Sequence, residues 1–239
     1  MSALSTWRRP LLRVGHKGAD LIVPGNTVAS FDAALDVGVD MIEFDVLRTR
    51  TRIVLAHDYG DVASRSPLTL NEGLDHLASP AFAGVGFVVD LKLPGYELDV
   101  LEALRRHGLA ERALISTQYR QSLAVIRQAE PAVRVGWTVP KLRRDPFRSR
   151  AAWIPAYAGL QALRLALPGQ AADAIRARRC HALMAHWRLV SARLVGRVRE
   201  AGGELYVWTV DELPQIRALE ALGVTGVITN DPRLFAALA

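Results

Sequence analysis

Cysteine is nearly absent from this chain of 239 residues, with Cys180 standing alone. An intramolecular disulfide framework is therefore excluded, and the single thiol fits a reducing compartment and a small buried apolar role better than a nucleophile. Long apolar runs are missing as well. No stretch reaches the roughly 18 uninterrupted apolar residues of a spanning helix, and residues 1–10 hold no apolar core of signal-peptide length. These absences set the expectation of a cytoplasmic protein. Acidic residues are the minority charge, 24 against 30 lysines and arginines, for a formal net charge of +6. Such a balance suits nucleic acid, a membrane surface, an anionic substrate or simply a solvated basic surface. Zinc-type spacing, an aromatic RNA-binding motif and a recognition-helix pattern are all lacking, so nucleic acid is not expected as a partner.

What is present is a regular alternation. Half of the residues are apolar, which suits one large core and a single domain over residues 1–239. Short runs rich in Val, Ile and Leu read as strands over residues 11–16, 41–46, 87–92, 113–117, 134–139, 181–185, 204–210 and 226–229. Helical spacing and capping signals separate them. Asn26 or Thr27 caps a helix that carries Val28, Phe31, Ala34 and Leu35 on one face and stops at Gly38. Thr69-Leu70-Asn71-Glu72 is a capping box. Asp211 is expected to cap a helix ended by Gly223, and Pro232 to open a terminal helix. Strands followed by helices imply parallel pairing with right-handed crossovers. The expected fold is therefore α/β: one (β/α)8 TIM barrel with a short hairpin insertion after strand 2. Residues 140–179 are the least regular. Lys141, Arg143 and Arg144 precede an apolar stretch over 153–167, readable as a barrel loop with its helix or as an amphipathic surface on anionic lipid.

The polar residues of interest fall at strand C-terminal ends, where such barrels keep their chemistry. Glu43 and Asp45 are two apart and project to one face. A hairpin turning near Arg50 brings His57 back opposite Glu43. Together with Asp90 these carboxylates offer hard oxygen ligands suited to Mg²⁺ or Ca²⁺ and not to zinc. Ion pairing with Lys17, Lys92 and nearby arginines is the competing arrangement. His16 and His57 are candidate acid and base, able to exchange protons near neutrality. The remaining histidines read as structural, with only His186 placed to face the barrel mouth. Lys17 and Lys92 could balance charge on a phosphate, and Trp208 could form an apolar wall or a piece of core.

His16-Lys17-Gly18, Pro24-Gly25-Asn26-Thr27, Glu43-x-Asp45 and His57-Asp58 resemble the signature of the glycerophosphodiester phosphodiesterase family. The likeness continues through Asp90-Leu91-Lys92, Val207 to Asp211 and Thr225 to Pro232. It runs from Arg13 to Pro232 and is weakest over 140–179. The resemblance implies the same barrel and a metal-dependent hydrolase that releases sn-glycerol 3-phosphate and an alcohol. His16 and His57 would be its acid and base, Glu43, Asp45 and Asp90 its metal ligands, and Lys17, Lys92 and Trp208 its substrate contacts. Four departures stand out. Lys17 replaces an arginine and Gly25 a glutamate. Asp90 stands where glutamate is usual, although the related sphingomyelinase D proteins resemble this chain in Asp-x-Lys there. The connection between His57 and Thr69 is short. These departures leave two alternatives: a lysophospholipase D or sphingomyelinase D-like lipid phosphodiesterase with a peripheral membrane contact, and a degenerate barrel that binds phosphate without turnover. The expected partner is a glycerophosphodiester or a lysophospholipid.

Overall fold

The computed structural model describes residues 10–140 and 153–238, with side chains from residue 159 onward in the second segment. Lys141, Arg143 and Arg144 lie outside the described residues. In chain order the elements are β1 Leu12–Gly15, α1 Val28–Val37, β2 Met41–Arg48, β3 Ile53–Val54, α2 Tyr59–Ser64, α3 Leu70–Leu77, β4 Gly86–Leu91 and α4 Glu97–Arg106. They continue as β5 Ala113–Thr117, α5 Arg120–Ala129, β6 Arg134–Val139, α6 Trp153–Arg176, β7 Ala182–His186, α7 Ala192–Glu200, β8 Glu204–Trp208, α8 Leu213–Leu222 and β9 Gly226–Thr229.

Among the described residues, β1, β2 and β4 to β9 pair in parallel, and β1 bonds both β2 and β9, which closes the sheet on itself. This is the expected (β/α)8 barrel, with β3 hydrogen-bonded antiparallel to β2 outside the ring. Strand alternation divides the apolar residues between two layers. Met41, Val88, Leu114, Met184, Tyr206 and Ile228 fill the barrel interior. Ile42, Phe44, Val46, Phe87 and Val89 point outward against the helices.

The same alternation places the polar residues. Glu43 and Asp45 share the inward parity of Met41 but lie further along β2, above the apolar plug. Asp45 stands beside Asp90 of β4, which stands beside Ser116 of β5.

Local signals held in most places. Thr27 caps α1 through Ser30 N–H, and Gly38 ends it in the left-handed region at φ 80°. Both halves of the Thr69–Glu72 capping box are formed. Two expectations changed, and one helix went unforeseen. The hairpin ladder stops at Val54, paired with Leu47, because Leu55 N–H turns away to Leu68 O; His57 therefore lies beyond the ladder and not opposite Glu43. Residues 59–64 form a helix capped by Asp58, and a helix this short leaves little periodicity to read. Asp211 does not cap α8, whose N-cap is Glu212, because its carboxylate is taken up by Thr229 and Asn230. On α6, Leu160, Leu163 and Leu167 pack on the core, as a barrel helix should, while Leu165 is exposed. No helix of the described residues is long and apolar enough to cross a membrane.

Candidate active site

A cleft of about 480 Å³ opens at the C-terminal ends of the barrel strands, within the roughly 300–1,000 Å³ of small-molecule sites. His16, Glu43, His57, Asp90, Lys92 and Trp208 line it. Asp45 lies beneath, with no exposed surface.

His16 follows β1, and two oppositely placed groups set its ring. Asn230 Oδ1 lies 2.5 Å from Nδ1, and Glu43 Oε2 lies 3.7 Å from Nε2. The orientation of Asn230 is itself decided by Asp211: Asn230 donates its side-chain Nδ2 and its backbone N–H to the two oxygens of that carboxylate. Asn230 Oδ1 thus accepts from His16 Nδ1–H, which leaves Nε2 bare toward the cleft. Burial pushes the His16 imidazolium below its ordinary range, although the charge of Asp45 opposes this.

The turn after His16 is built around the carboxylates. Lys17 takes the left-handed region at φ 51°, so that its N–H donates to Glu43 Oε2 at 2.9 Å. Gly18 has to be glycine: its φ is 89° and a Cβ there would come within 2.3 Å of Ser30 Oγ. Asn26 brackets Asp45, donating from Nδ2 to Oδ2 at 2.9 Å and accepting Asp45 N–H at 3.0 Å. Ser116 donates to Asp90 Oδ1 at 2.5 Å, and Thr138 lies 3.4 Å from the same oxygen.

Three carboxylates meet in this space. One oxygen each of Glu43, Asp45 and Asp90 lies within 4.8 Å of the others. The Lys92 ammonium is ion-paired with Asp45 and Asp90. Burial disfavours that ammonium, but the three carboxylates outweigh it and raise its pKa. Burial would likewise raise Asp45, yet Lys92 and the two histidines hold it below the carboxylate range. At Glu43 the help of Lys92 and of the Lys17 N–H is too small. Burial and the neighbouring Asp45 charge push it well above its usual value. One ammonium among three carboxylates leaves negative charge uncompensated, and among the described residues Lys92 is the one cation on Asp45 Oδ1. These residues fit a divalent cation held by hard oxygens.

The other predicted residues divide. His57 stands at the rim, its side chain 54% exposed and its Nδ1 3.1 Å from Asp58 Oδ2. Trp208 lines the cleft and is fixed by donating Nε1–H to Met184 O at 3.0 Å. His186 packs edge-on to Trp208 at 5.2 Å. Lys17 is the exception: its ammonium lies 3.1 Å from Asp20 Oδ2 and does not line the cleft. Gly25 explains why. Its N–H donates to Asp20 Oδ1 at 2.7 Å, and a Cβ at Gly25 would lie 2.6 Å from both Asp20 Oδ1 and Lys17 Cβ. Sequence reasoning missed Asn230, Asp211, Asn26 and Ser116 as site residues. The first three sat inside quoted motifs; Ser116 carried no signal beyond its inward parity with Leu114.

A closed barrel whose strand ends gather a carboxylate cluster, an oriented histidine and a lysine has the make-up of an enzyme with a metal-assisted acid–base site. The sequence profile of the glycerophosphoryl diester phosphodiesterase family matches residues 16–72 and 85–234, and the chain belongs to that family. A glycerophosphodiester phosphodiesterase of Caldanaerobacter subterraneus subsp. tengcongensis is 24% identical, over 92% of this chain and 94% of that protein. Among solved structures, a glycerophosphodiester phosphodiesterase from Thermotoga maritima superposes with a TM-score of 0.69 at 16% identity, covering 97% of this chain and 99% of the other. An Oleispira antarctica phosphodiesterase in complex with the product sn-glycerol-3-phosphate gives 0.68 at 20% identity, covering 96% of each. At these identities the two superpositions speak for the fold.

Proposed function

We propose that this cleft hydrolyses glycerophosphodiesters to sn-glycerol 3-phosphate and an alcohol, with Mg²⁺ or Ca²⁺ held by Glu43, Asp45 and Asp90. One observation carries the reading: a histidine with its Nε2 bare faces a carboxylate trio that has negative charge to spare. When bound, the cation supplies Lewis-acid stabilisation of charge on the phosphate oxygens.

His16 is the base in this proposal, because Asn230 holds its proton on the far nitrogen and burial keeps the ring neutral. Nε2 takes the proton of the glycerol 2-hydroxyl as that oxygen attacks phosphorus. His57, more exposed and steadied by Asp58, donates a proton to the departing alcohol as its P–O bond breaks. The cyclic phosphate is then opened by water, which gives a proton to His57 while the 2-oxygen recovers one from His16. Lys92 balances the charge that builds on the phosphoryl oxygens. Lys17, turned to Asp20, contributes through its field. Trp208 packs against the glycerol or the leaving group.

Release of glycerol 3-phosphate from glycerophosphocholine and glycerophosphoethanolamine, with Mg²⁺, with Ca²⁺ and with chelator, tests this. Metal-dependent release is expected. Silence from folded protein under all conditions would overturn it. A second reading, a lysophospholipid substrate, is favoured by the apolar flank of Leu47, Leu93 and Tyr59 along the cleft. Alcohol release from lysophosphatidylcholine, with none from glycerophosphocholine, would select it.

A further inference from the structure

A second cavity, about 190 Å³, lies outside the barrel between α5 and α6. It is smaller than the roughly 300 Å³ at which drug-sized sites begin, so it suits one slim chain and no nucleotide or disaccharide. Trp137 floors it. Strand alternation on β6 turns that side chain outward while Thr138, the next residue, faces the cleft. Leu123 and the buried Cys180 complete the apolar lining.

Four guanidinium groups border this apolar floor: Arg120, Arg127, Arg178 and Arg179. Among the described residues none of them is paired with a carboxylate. Other arginines do find acids, as in Arg13–Asp40, Arg65–Asp61 and Arg134–Glu204, whereas these four gather unpaired around one concavity. Arg120 lies 3.9 Å over the Trp137 ring, which orients its charge without neutralising it. Arg178 occupies the left-handed region at φ 53°, where glycine or asparagine would sit with less strain.

Arg127 gives the clearest sign that an acceptor belongs here. Val135 N–H donates to His181 Nδ1 at 3.0 Å, so the neutral ring carries its proton on Nε2. Burial and the neighbouring arginines keep that ring neutral. Yet Nε2 lies 3.0 Å from Arg127 Nη1, which can only donate. Two N–H donors converge at the edge of the groove, and an anionic oxygen placed beside the pair would accept from both.

We infer that this groove binds a single-chain anionic amphiphile, its alkyl chain lying along Trp137 and Leu123 and its phosphate or carboxylate head among Arg127, Arg178 and Arg179. Neither half of such a ligand suffices. Inorganic phosphate leaves the apolar floor open to water, and a neutral alcohol leaves the arginines unpaired. A bilayer face fits less well, because the lining is a narrow concavity whose tryptophan is only 7% exposed.

Calorimetric titration with decyl phosphate below its micellar concentration tests the inference, with decanol, inorganic phosphate and anionic vesicles as comparisons. Decyl phosphate should bind one per chain, and decanol and phosphate should not. Arg127→Gln and Arg178→Gln should each weaken binding about tenfold, as loss of a charge-assisted hydrogen bond does, with melting temperatures unchanged. Lys92→Ala, in the other cleft, should leave the titration as it was. No binding, binding lost in Lys92→Ala but kept in both arginine variants, or binding to vesicles with none to monomeric decyl phosphate would each overturn it.

Discussion

Asn230 Oδ1 lies 2.5 Å from His16 Nδ1, a contact between residues 214 positions apart. It makes the imidazole one tautomer and points its free nitrogen at the carboxylate cluster. Removing it in Asn230→Ala should lower kcat by about 10- to 100-fold with little change in KM. His16→Ala and His57→Ala should each cost on the order of 10²- to 10⁴-fold, the range of general acid–base catalysis. Steady-state kinetics beside thermal melts separate these losses from misfolding. Full activity in folded Asn230→Ala would remove that residue from the mechanism.

Divalent cation binding should show as stability before it shows as turnover. A ligand at a hundredfold excess over its Kd adds roughly 2.7 kcal/mol. For a chain of this size each kcal/mol moves the melting temperature by about 2–4 °C. Mg²⁺ or Ca²⁺ should therefore raise the melting temperature by roughly 5–10 °C over chelator, and Asp90→Ala should shrink that shift. An equal melting temperature with and without cation would count against the cluster as a metal site.

Gly25→Glu tests the departure at the turn. Gly25 is outside the left-handed region, so the cost is steric: the new Cβ meets Asp20 Oδ1 and Lys17 Cβ at 2.6 Å. We expect a loss of about 1–3 kcal/mol, typical of overpacking, read by urea unfolding. Asp20→Gly in the same chain should recover a part of it, the contact with Lys17 Cβ remaining. Equal losses in the single and double variants would show that Asp20 is not the obstacle.

Cys180 should be inert in the native state. Burial pushes its thiol up to about 11. From an ordinary value of 9.0, the thiolate fraction at pH 8 falls roughly a hundredfold. Alkylation by N-ethylmaleimide should be slower by at least that factor in folded than in urea-unfolded protein.

A proton-linked contribution to stability is expected from Asp40. Its carboxylate accepts Arg13 N–H at 2.7 Å and both Nε and Nη2 of the same guanidinium at 3.0 Å. Burial acts to raise Asp40, but Arg13 outweighs it and lowers the pKa. A depressed folded pKa means stability that is present above the unfolded value of about 3.9 and lost as pH falls through the folded one. With both side chains partly in water, Asp40→Asn should cost only about 0.5–1 kcal/mol at pH 7. The difference between wild type and variant should close as pH falls through the folded value, as read by denaturant unfolding at each pH.

Much of this protein is local and so was legible in its residues. Period-two runs, the Thr27 and Thr69 caps and Gly38 define strands and helices from neighbours a few positions away, and their alternation implies the barrel. Parity along β2 put Glu43 and Asp45 on one face, and the barrel turned that face inward. Tertiary structure decided the pairings between distant segments. Asn230 reaches His16, Asn26 reaches Asp45, and Asp211 gives up a cap to orient Asn230. Lys17 turns to Asp20 because Gly25 leaves room there, and His57 leaves the hairpin because Leu55 finds Leu68. Sequence patterns constrain a residue's own backbone and the face it presents. Which partner a polar side chain finds depends on where closure of the barrel delivers the other strands, and that is a property of the whole chain.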